Sequence, residues 1–145
     1  MITHSMEIQA PIEHVFQFID EEEKTKLWMK ELVKITYLGT FDPENPVGTK
    51  FKQKLKEGGR IAEYDGEVLA YEKPKLLSIR LGNKMFSVDV TYKLSEIPNG
   101  TRLHYTCTQT FHTFLARVMG TLFSGFMKKI FQKQMKALKE VAESR

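Results

Sequence analysis

Cysteine is nearly absent from this chain of 145 residues, since Cys107 is the only one. A single cysteine excludes an intramolecular disulfide and favours a reducing compartment. The segment from Met1 to Ala10 lacks the apolar core of a secretory signal, because His4 and Glu7 interrupt it. We therefore expect a cytoplasmic location.

Long hydrophobic runs are also missing. The most apolar stretch, Phe114 to Met127, is too short to span a bilayer and contains Arg117. No glycine-rich phosphate loop is present. The histidines are His4, His14, His104 and His112. The spacing of these histidines is not that of metal ligands, so we expect no metal. Since a long apolar run and a phosphate loop are also missing, we expect no stable membrane insertion and no cofactor.

The charge balance is only mildly basic, with a formal net charge of +4 and a pI of about 9.1. Such a charge is better explained by surface solvation than by nucleic-acid binding, so we expect no nucleic-acid partner. Five lysines lie towards the C-terminus: Lys128, Lys129, Lys133, Lys136 and Lys139. They favour the dipole of a C-terminal helix, and weak contact with an anionic membrane surface is the alternative reading.

Alternation of apolar and polar residues predicts seven β-strands. The predicted strands are Thr3–Gln9, Leu32–Leu38, Thr49–Lys56, Arg60–Tyr71, Leu76–Leu81, Met85–Leu94 and Thr101–Phe111. In the third of them, Phe51, Gln53 and Leu55 face one side and lysines face the other. Gly58-Gly59 and Asn99-Gly100 are hairpin signals, so we expect antiparallel pairing.

Helical periodicity predicts two short helices after the first strand and one long helix at the end of the chain. The first opens at Ala10-Pro11, with proline in the first turn, and the second covers Asp20 to Lys30. The long helix runs from Thr113 to Ala142 and would span about 45 Å. Its apolar stripe consists of Leu115, Val118, Met119, Leu122, Phe123, Phe126, Ile130, Phe131, Met135, Leu138 and Val141. We expect a curved sheet to bury this stripe.

Three stretches of this pattern resemble the START-like (SRPBCC) superfamily, which includes polyketide cyclase/dehydrase, lipid-transport and pollen-allergen proteins. They are M-E-I-Q-A-P-I-E-H-V-F-Q-F-I-D with L-W-M at Leu27 to Met29, V-G-T-K-F at Val47 to Phe51, and N-G-T-R-L-H-Y-T at Asn99 to Thr106. The resemblance implies an α+β helix-grip fold, in which a seven-stranded curved antiparallel sheet wraps around the C-terminal helix. It covers residues 1–145 as one domain and transfers little chemistry.

A sheet curled around one helix tends to leave an internal cavity, and a mostly apolar cavity suits a small hydrophobic molecule. Small residues favour such a space over a packed core, namely Gly66 and Ala70 on a strand and Gly120 and Gly125 in the helix. The alternative is a core filled by aromatic side chains. The expected ligand-binding residues are Phe51, Gln53, Tyr64, Val68, Ile79, Phe86, Val88, Val90, Tyr105, Cys107, Gln109, Met119, Leu122, Phe123 and Phe126.

Three classes of function fit this reading. The first is binding or carriage of an apolar molecule without chemistry. The second is a cyclase or dehydratase, which needs an acid or base within about 3 Å of a substrate atom. Strand parity places tyrosines inside the cavity but no carboxylate or imidazole, with Glu63, Asp65 and Glu67 facing water. The third is a partner-binding module, which would need an exposed apolar patch on the long helix.

Overall fold

The seven predicted strands form one antiparallel sheet in the computed structural model, which describes the backbone of residues 2–144 and the side chains of residues 2–120 and 128–144. The strands are β1 Ile2–Ile8, β2 Leu32–Leu38, β3 Lys50–Glu57, β4 Arg60–Glu72, β5 Leu76–Gly82, β6 Phe86–Ile97 and β7 Gly100–Phe111. Their spatial order is β1-β7-β6-β5-β4-β3-β2. Strands β2 to β7 are therefore sequential neighbours, and β1 closes the far edge beside β7.

Three helices complete the fold: α1 Ile12–Asp20, α2 Glu22–Trp28 and α3 Phe114–Ser144. Pro11 is the N-cap residue of α1, one position before the first turn. Two donors fix α2 against the end of α1, because the Thr25 hydroxyl and the Trp28 indole both donate to the Phe18 carbonyl, at 3.0 Å and 2.7 Å. The predicted helix-grip architecture is confirmed, with shifts of a few residues at the element ends.

The burial of side chains on the sheet follows the predicted alternation. Phe51 and Gln53 are 4% and 5% exposed, whereas Lys50 and Lys54 beside them are exposed. The apolar face of the sheet therefore points to the helices. The packed core lies at one end, between β1, β6, β7, α1 and the second half of α3. Its members include Ile8, Val15, Phe16, Leu103 and Leu138.

Only the second half of the predicted helical stripe is buried. Met135 and Leu138 are 1% and 0% exposed, but Leu115 is 62% exposed and Val118 and Met119 are each 43% exposed. Ile130 of the same stripe is 38% exposed, so the expectation of burial along the whole stripe is wrong at these four positions. At 3.6 residues per turn, Leu115 and Leu138 point about 140° apart, so the stripe drifts around the helix and its two ends do not share a face. In the first half of α3 the covered face carries Ala116, which is 6% exposed. The side chains of Leu122, Phe123, Gly125 and Phe126 lie outside the described residues.

Two glycines of this fold make room for aromatic rings. A Cβ atom at Gly66 would overlap the ring of Phe51, its cross-strand partner on β3, with Cδ2 only 2.7 Å away. A Cβ atom at Gly120 would overlap the ring of Phe111, with Cε2 only 2.9 Å away. Gly66 therefore admits a cavity-side ring, and Gly120 allows α3 to approach β7 closely.

Candidate functional site

A cavity of about 610 Å³ lies between the apolar face of the sheet, the α1–α2 pair and α3. Its size is typical of a small-molecule site. Its wall consists of the inner residues of β2 to β7, Ile19 and Trp28 from the two short helices, and Phe131 from α3. Tyr37 and Phe41 belong to the wall and are partly exposed, at 37% and 38%.

Most of the described residues expected at a ligand site lie in this wall. They are Phe51, Gln53, Tyr64, Val68, Ile79, Phe86, Val88, Val90 and Tyr105. Their contact with a ligand remains a prediction, but the fold brings them together around one space.

Three expected residues lie away from the wall. Cys107 is fully buried in the core, opposite Val90 on β6 and Ile2 on β1. Gln109 is half-buried further along β7, and Met119 is exposed on α3. Alternation places Cys107 and Gln109 on a strand face but does not tell where along the strand the cavity ends. Met119 is turned away from the face of α3 on which Gly120 meets Phe111.

Gln53 is the most informative polar residue of the wall. It is 5% exposed and lies between Ile35 of β2 and Tyr64 of β4 in the sheet register. Within the described residues, its side-chain amide has no hydrogen-bond partner although it borders the cavity. No enclosed side-chain polar atom of the described residues lacks a partner, so the Gln53 amide is reached from the cavity and is not sealed in the core. Gln53 is therefore available to a polar group inside the cavity.

Two buried tyrosines form a second polar element, on β6 and β7. The rings of Tyr92 and Tyr105 lie 5.3 Å apart, and Tyr105 also packs 5.9 Å from Phe131 of α3. Desolvation raises the pKa of both phenols, so both stay neutral at physiological pH. Burial also raises the pKa of the neighbouring Cys107 thiol to about 11. A protonated, enclosed thiol is a weak nucleophile, which agrees with a packing role for Cys107.

An aspartate–tyrosine pair, which the sequence pattern did not reveal, stands in the cavity wall. The Tyr71 hydroxyl donates to Oδ2 of Asp20 at 2.9 Å, and both residues border the cavity. Burial raises the pKa of Asp20, opposed by the Tyr71 hydrogen bond and by the charge of Lys73. The expectation that no carboxylate faces the cavity is therefore wrong. The available signal was the position of Asp20, directly after Ile19 in the apolar stripe of α1.

Other charged groups of the wall lie nearer to solvent. Glu22 is paired with Lys26 at 3.2 Å, and Glu57 accepts a 2.8 Å hydrogen bond from the Tyr64 hydroxyl. Glu31 and Lys56 are the remaining charged side chains among the wall residues that the structure describes. No group of three or more histidine, cysteine or carboxylate side chains in the described part of the chain is arranged to hold a metal ion.

The opposite face of the sheet carries the charges that strand parity assigned to it. Glu63 and Asp65 are exposed there, and Asp65 pairs with Lys52 of β3. Arg80 and Asp89 form a two-point pair across β5 and β6, at 2.8 Å and 3.1 Å. These pairs are solvated and describe a polar outer surface. Across residues 2–144, no helix combines the length and the apolar character needed to cross a bilayer.

Solved structures share this fold at low sequence identity. A protein from Thermus thermophilus is 16% identical with a TM-score of 0.74, covering 99% of this chain and 97% of that chain. Ara h 8.0201 is 17% identical with a TM-score of 0.72, covering 99% and 97%. StfQ, a di-domain ARO/CYC from the steffimycin biosynthetic pathway, is 10% identical with a TM-score of 0.76, covering 99% and 51%. At these identities the likeness concerns the fold alone.

No curated protein sequence matches this chain. A family model described as polyketide cyclase / dehydrase and lipid transport matches residues 1–143. Because that match extends over nearly the whole sequence and the helix-grip fold agrees with it, the chain belongs to the polyketide cyclase/dehydrase and lipid transport family.

Proposed function

We propose that this protein binds a small hydrophobic molecule in its cavity and has no chemistry of its own. The observation that carries the proposal is an open space of about 610 Å³ whose wall is apolar apart from a few polar groups, with the unpartnered amide of Gln53 among them. Burial of apolar surface contributes about 25 cal/mol per Å², which is the main source of affinity for such a ligand. The polar groups would orient it.

A chain-length series tests this function directly. Trp28 is the only tryptophan, is 2% exposed and belongs to the cavity wall, so its fluorescence reports on an occupant. We expect n-alkanols from octanol to dodecanol to change its emission. Each added methylene should lower Kd about fourfold, which corresponds to about 0.8 kcal/mol, until the chain fills the cavity. A Kd that is independent of chain length contradicts hydrophobic binding inside the cavity.

A pair of tryptophan substitutions locates the binding. Val90 is 6% exposed in the wall, and Val90→Trp should fill part of the cavity and weaken alkanol binding more than tenfold. Thr108→Trp adds the same side chain on the exposed face of β7 and serves as the control. Calorimetric titration measures both variants, and thermal melting shows whether each is folded. Equal Kd values for the two folded variants would place the ligand elsewhere.

An enzyme of the cyclase or dehydratase kind is the second candidate. Asp20 and Tyr71 favour it, because they place a carboxylate of raised pKa and a phenol at the cavity wall. Such a pair can move a proton to or from a bound carbonyl compound. Deuterium exchange at the α-carbon of an apolar β-ketoester measures this activity in D₂O. Catalysed exchange that Asp20→Asn abolishes would favour the enzyme, and exchange at the buffer rate would remove this candidate.

A further inference from the structure

The charge of the cavity wall is opposite in sign to that of the whole chain. The chain carries a formal net charge of +4. The charged residues of the wall, within the part of the chain that the structure describes, are Asp20, Glu22, Glu31, Glu57 and a single cation, Lys56. An occupant of the cavity therefore meets an acidic surface although the protein around it is basic.

Asp20 is a half-buried carboxylate of this wall and has no ion pair within the described residues. Its Oδ2 accepts the Tyr71 hydrogen bond, but within the described residues Oδ1 accepts none. Asp20 is also the last residue of α1, where the helix dipole disfavours a negative charge and no basic residue occupies the last turn. Lys73 is the cation that acts on it, and Glu21 opposes Lys73.

One aromatic ring lies near this corner, and a second is stacked on it. Tyr37 and Phe41 are stacked at 4.1 Å, and both border the cavity. Tyr37 is close enough to Asp20 and Glu22 for their charges to raise its pKa, after the larger effect of its own burial. Ring faces beside carboxylates attract an organic cation, because the ring quadrupole and the negative charge act in the same direction.

Gln53 supplies an independent sign that the cavity receives a molecule with polar groups. Its side chain is 5% exposed and faces this cavity, and the described residues leave its amide unpartnered. In the sheet, Gln53 is two residues from Phe51, whose cross-strand partner is Tyr37. The buried amide and the acidic corner therefore belong to one connected wall, which offers polar as well as apolar contacts.

We infer that the cavity takes an apolar amine, with its ammonium group at the free oxygen of Asp20 beside the rings of Tyr37 and Phe41, and its hydrocarbon body along the wall. This inference rests on the proposed hydrophobic binding. An ammonium donates a charge-assisted hydrogen bond to the carboxylate and compensates its charge, whereas a hydroxyl makes a weaker neutral bond. A carboxylate head would be repelled.

Three probes with one hydrocarbon chain and different heads test the inference on the unmodified protein. They are n-dodecylammonium, n-dodecanol and dodecanoate, each below its aggregation limit, at pH 7 and constant ionic strength. Trp28 emission reports binding. We expect dodecylammonium to bind about tenfold more tightly than dodecanol, and dodecanoate to bind most weakly.

Substitutions then assign the preference to one carboxylate. Asp20→Asn keeps an acceptor for Tyr71 and removes the charge, so it should reduce the ammonium-to-alcohol ratio to less than about threefold. The matched control is Glu63→Gln, which removes one charge from the exposed outer face of β4 and should behave like the unmodified protein.

The possible outcomes distinguish a failure of the amine preference from a failure of the proposed hydrophobic binding. If none of the three probes binds, hydrophobic binding itself is overturned. If dodecanol or dodecanoate binds as tightly as dodecylammonium, the amine preference is overturned and hydrophobic binding stands. If Asp20→Asn and Glu63→Gln lower the ratio equally, the preference is a general effect of net charge and the assignment to Asp20 is overturned. The ranking on the unmodified protein decides the head group even if a variant fails to fold.

Discussion

Replacing Gly66 by alanine places one methyl group where the ring of Phe51 now lies. The ring atom Cδ2 would be 2.7 Å from the new carbon, well inside van der Waals contact. Phe51 is 4% exposed, and its ring meets Tyr37 edge-on at a centroid distance of 6.2 Å. The ring therefore has to move into the cavity or push against Tyr37.

The size of the effect follows from two opposing contributions. Overpacking a tight site costs about 1–3 kcal/mol. Alanine in a strand recovers about 0.5–1 kcal/mol, because glycine loses more conformational freedom on folding. We therefore expect Gly66→Ala to lower the free energy of unfolding by about 1–2 kcal/mol. For a domain of this size, that lowers Tm by about 3–6 °C.

Thermal melting and urea denaturation measure this loss, and a double-mutant cycle identifies its cause. Phe51→Leu removes the ring that meets the new methyl group, so Gly66→Ala should cost little in the Phe51→Leu background. The coupling free energy should reach about 1 kcal/mol. Additive losses, or a Tm that rises in Gly66→Ala, would refute the account of Gly66 as space for the ring.

Two further predictions concern α3 and Asp20. Leu138 is 0% exposed, so Leu138→Ala should lower the free energy of unfolding by about 2–5 kcal/mol in urea denaturation. Leu115 is 62% exposed, so Leu115→Ala should lower it by less than about 0.5 kcal/mol. Equal losses would contradict a half-buried helix. Burial raises the pKa of Asp20 in the folded state, so the protonated side chain stabilises the fold. This stabilisation is fully present below the unfolded pKa of about 3.9 and is lost as pH rises through the folded pKa. Asp20→Asn should therefore melt at or above the temperature of the unmodified protein at pH 7 and flatten the pH dependence of Tm; a drop of several degrees would show that the charge stabilises the fold.

The inner face of the sheet could be predicted because strand alternation has a short, strict period. Once Phe51 is inside, Gln53 is inside and the lysines between are not, whatever the rest of the fold does. Hairpin signals such as Gly58-Gly59 then set the antiparallel order. The family resemblance, carried by the same stretches, agreed with this pattern, and the α+β helix-grip fold is confirmed.

Some side-chain positions could not be predicted, because they depend on how far the cavity extends along a strand and on where a helix ends. Cys107 lies on the predicted face, but the core covers that part of β7. Asp20 lies where α1 ends, and the direction of a side chain between two helices is set by the turn and by Tyr71, fifty-one residues away in sequence. Leu115 and Met119 point away from the face of α3 that carries Leu138, because an apolar stripe read over many turns of sequence drifts around the helix.

The pairing of β1 with β7 has a consequence for how the chain acquires its structure. Ile2 lies opposite Cys107, whereas each strand from β3 to β7 pairs with the strand just before it. During synthesis β1 is made before its partner β7, and it stays unpaired until β7 is available. The strands from β2 onwards can meanwhile assemble hairpin by hairpin. An unpaired strand can form hydrogen bonds with a wrong partner, and long-range closure slows folding. We expect β1 to be the strand whose pairing forms last, and the step at which nascent chains are most exposed to aggregation.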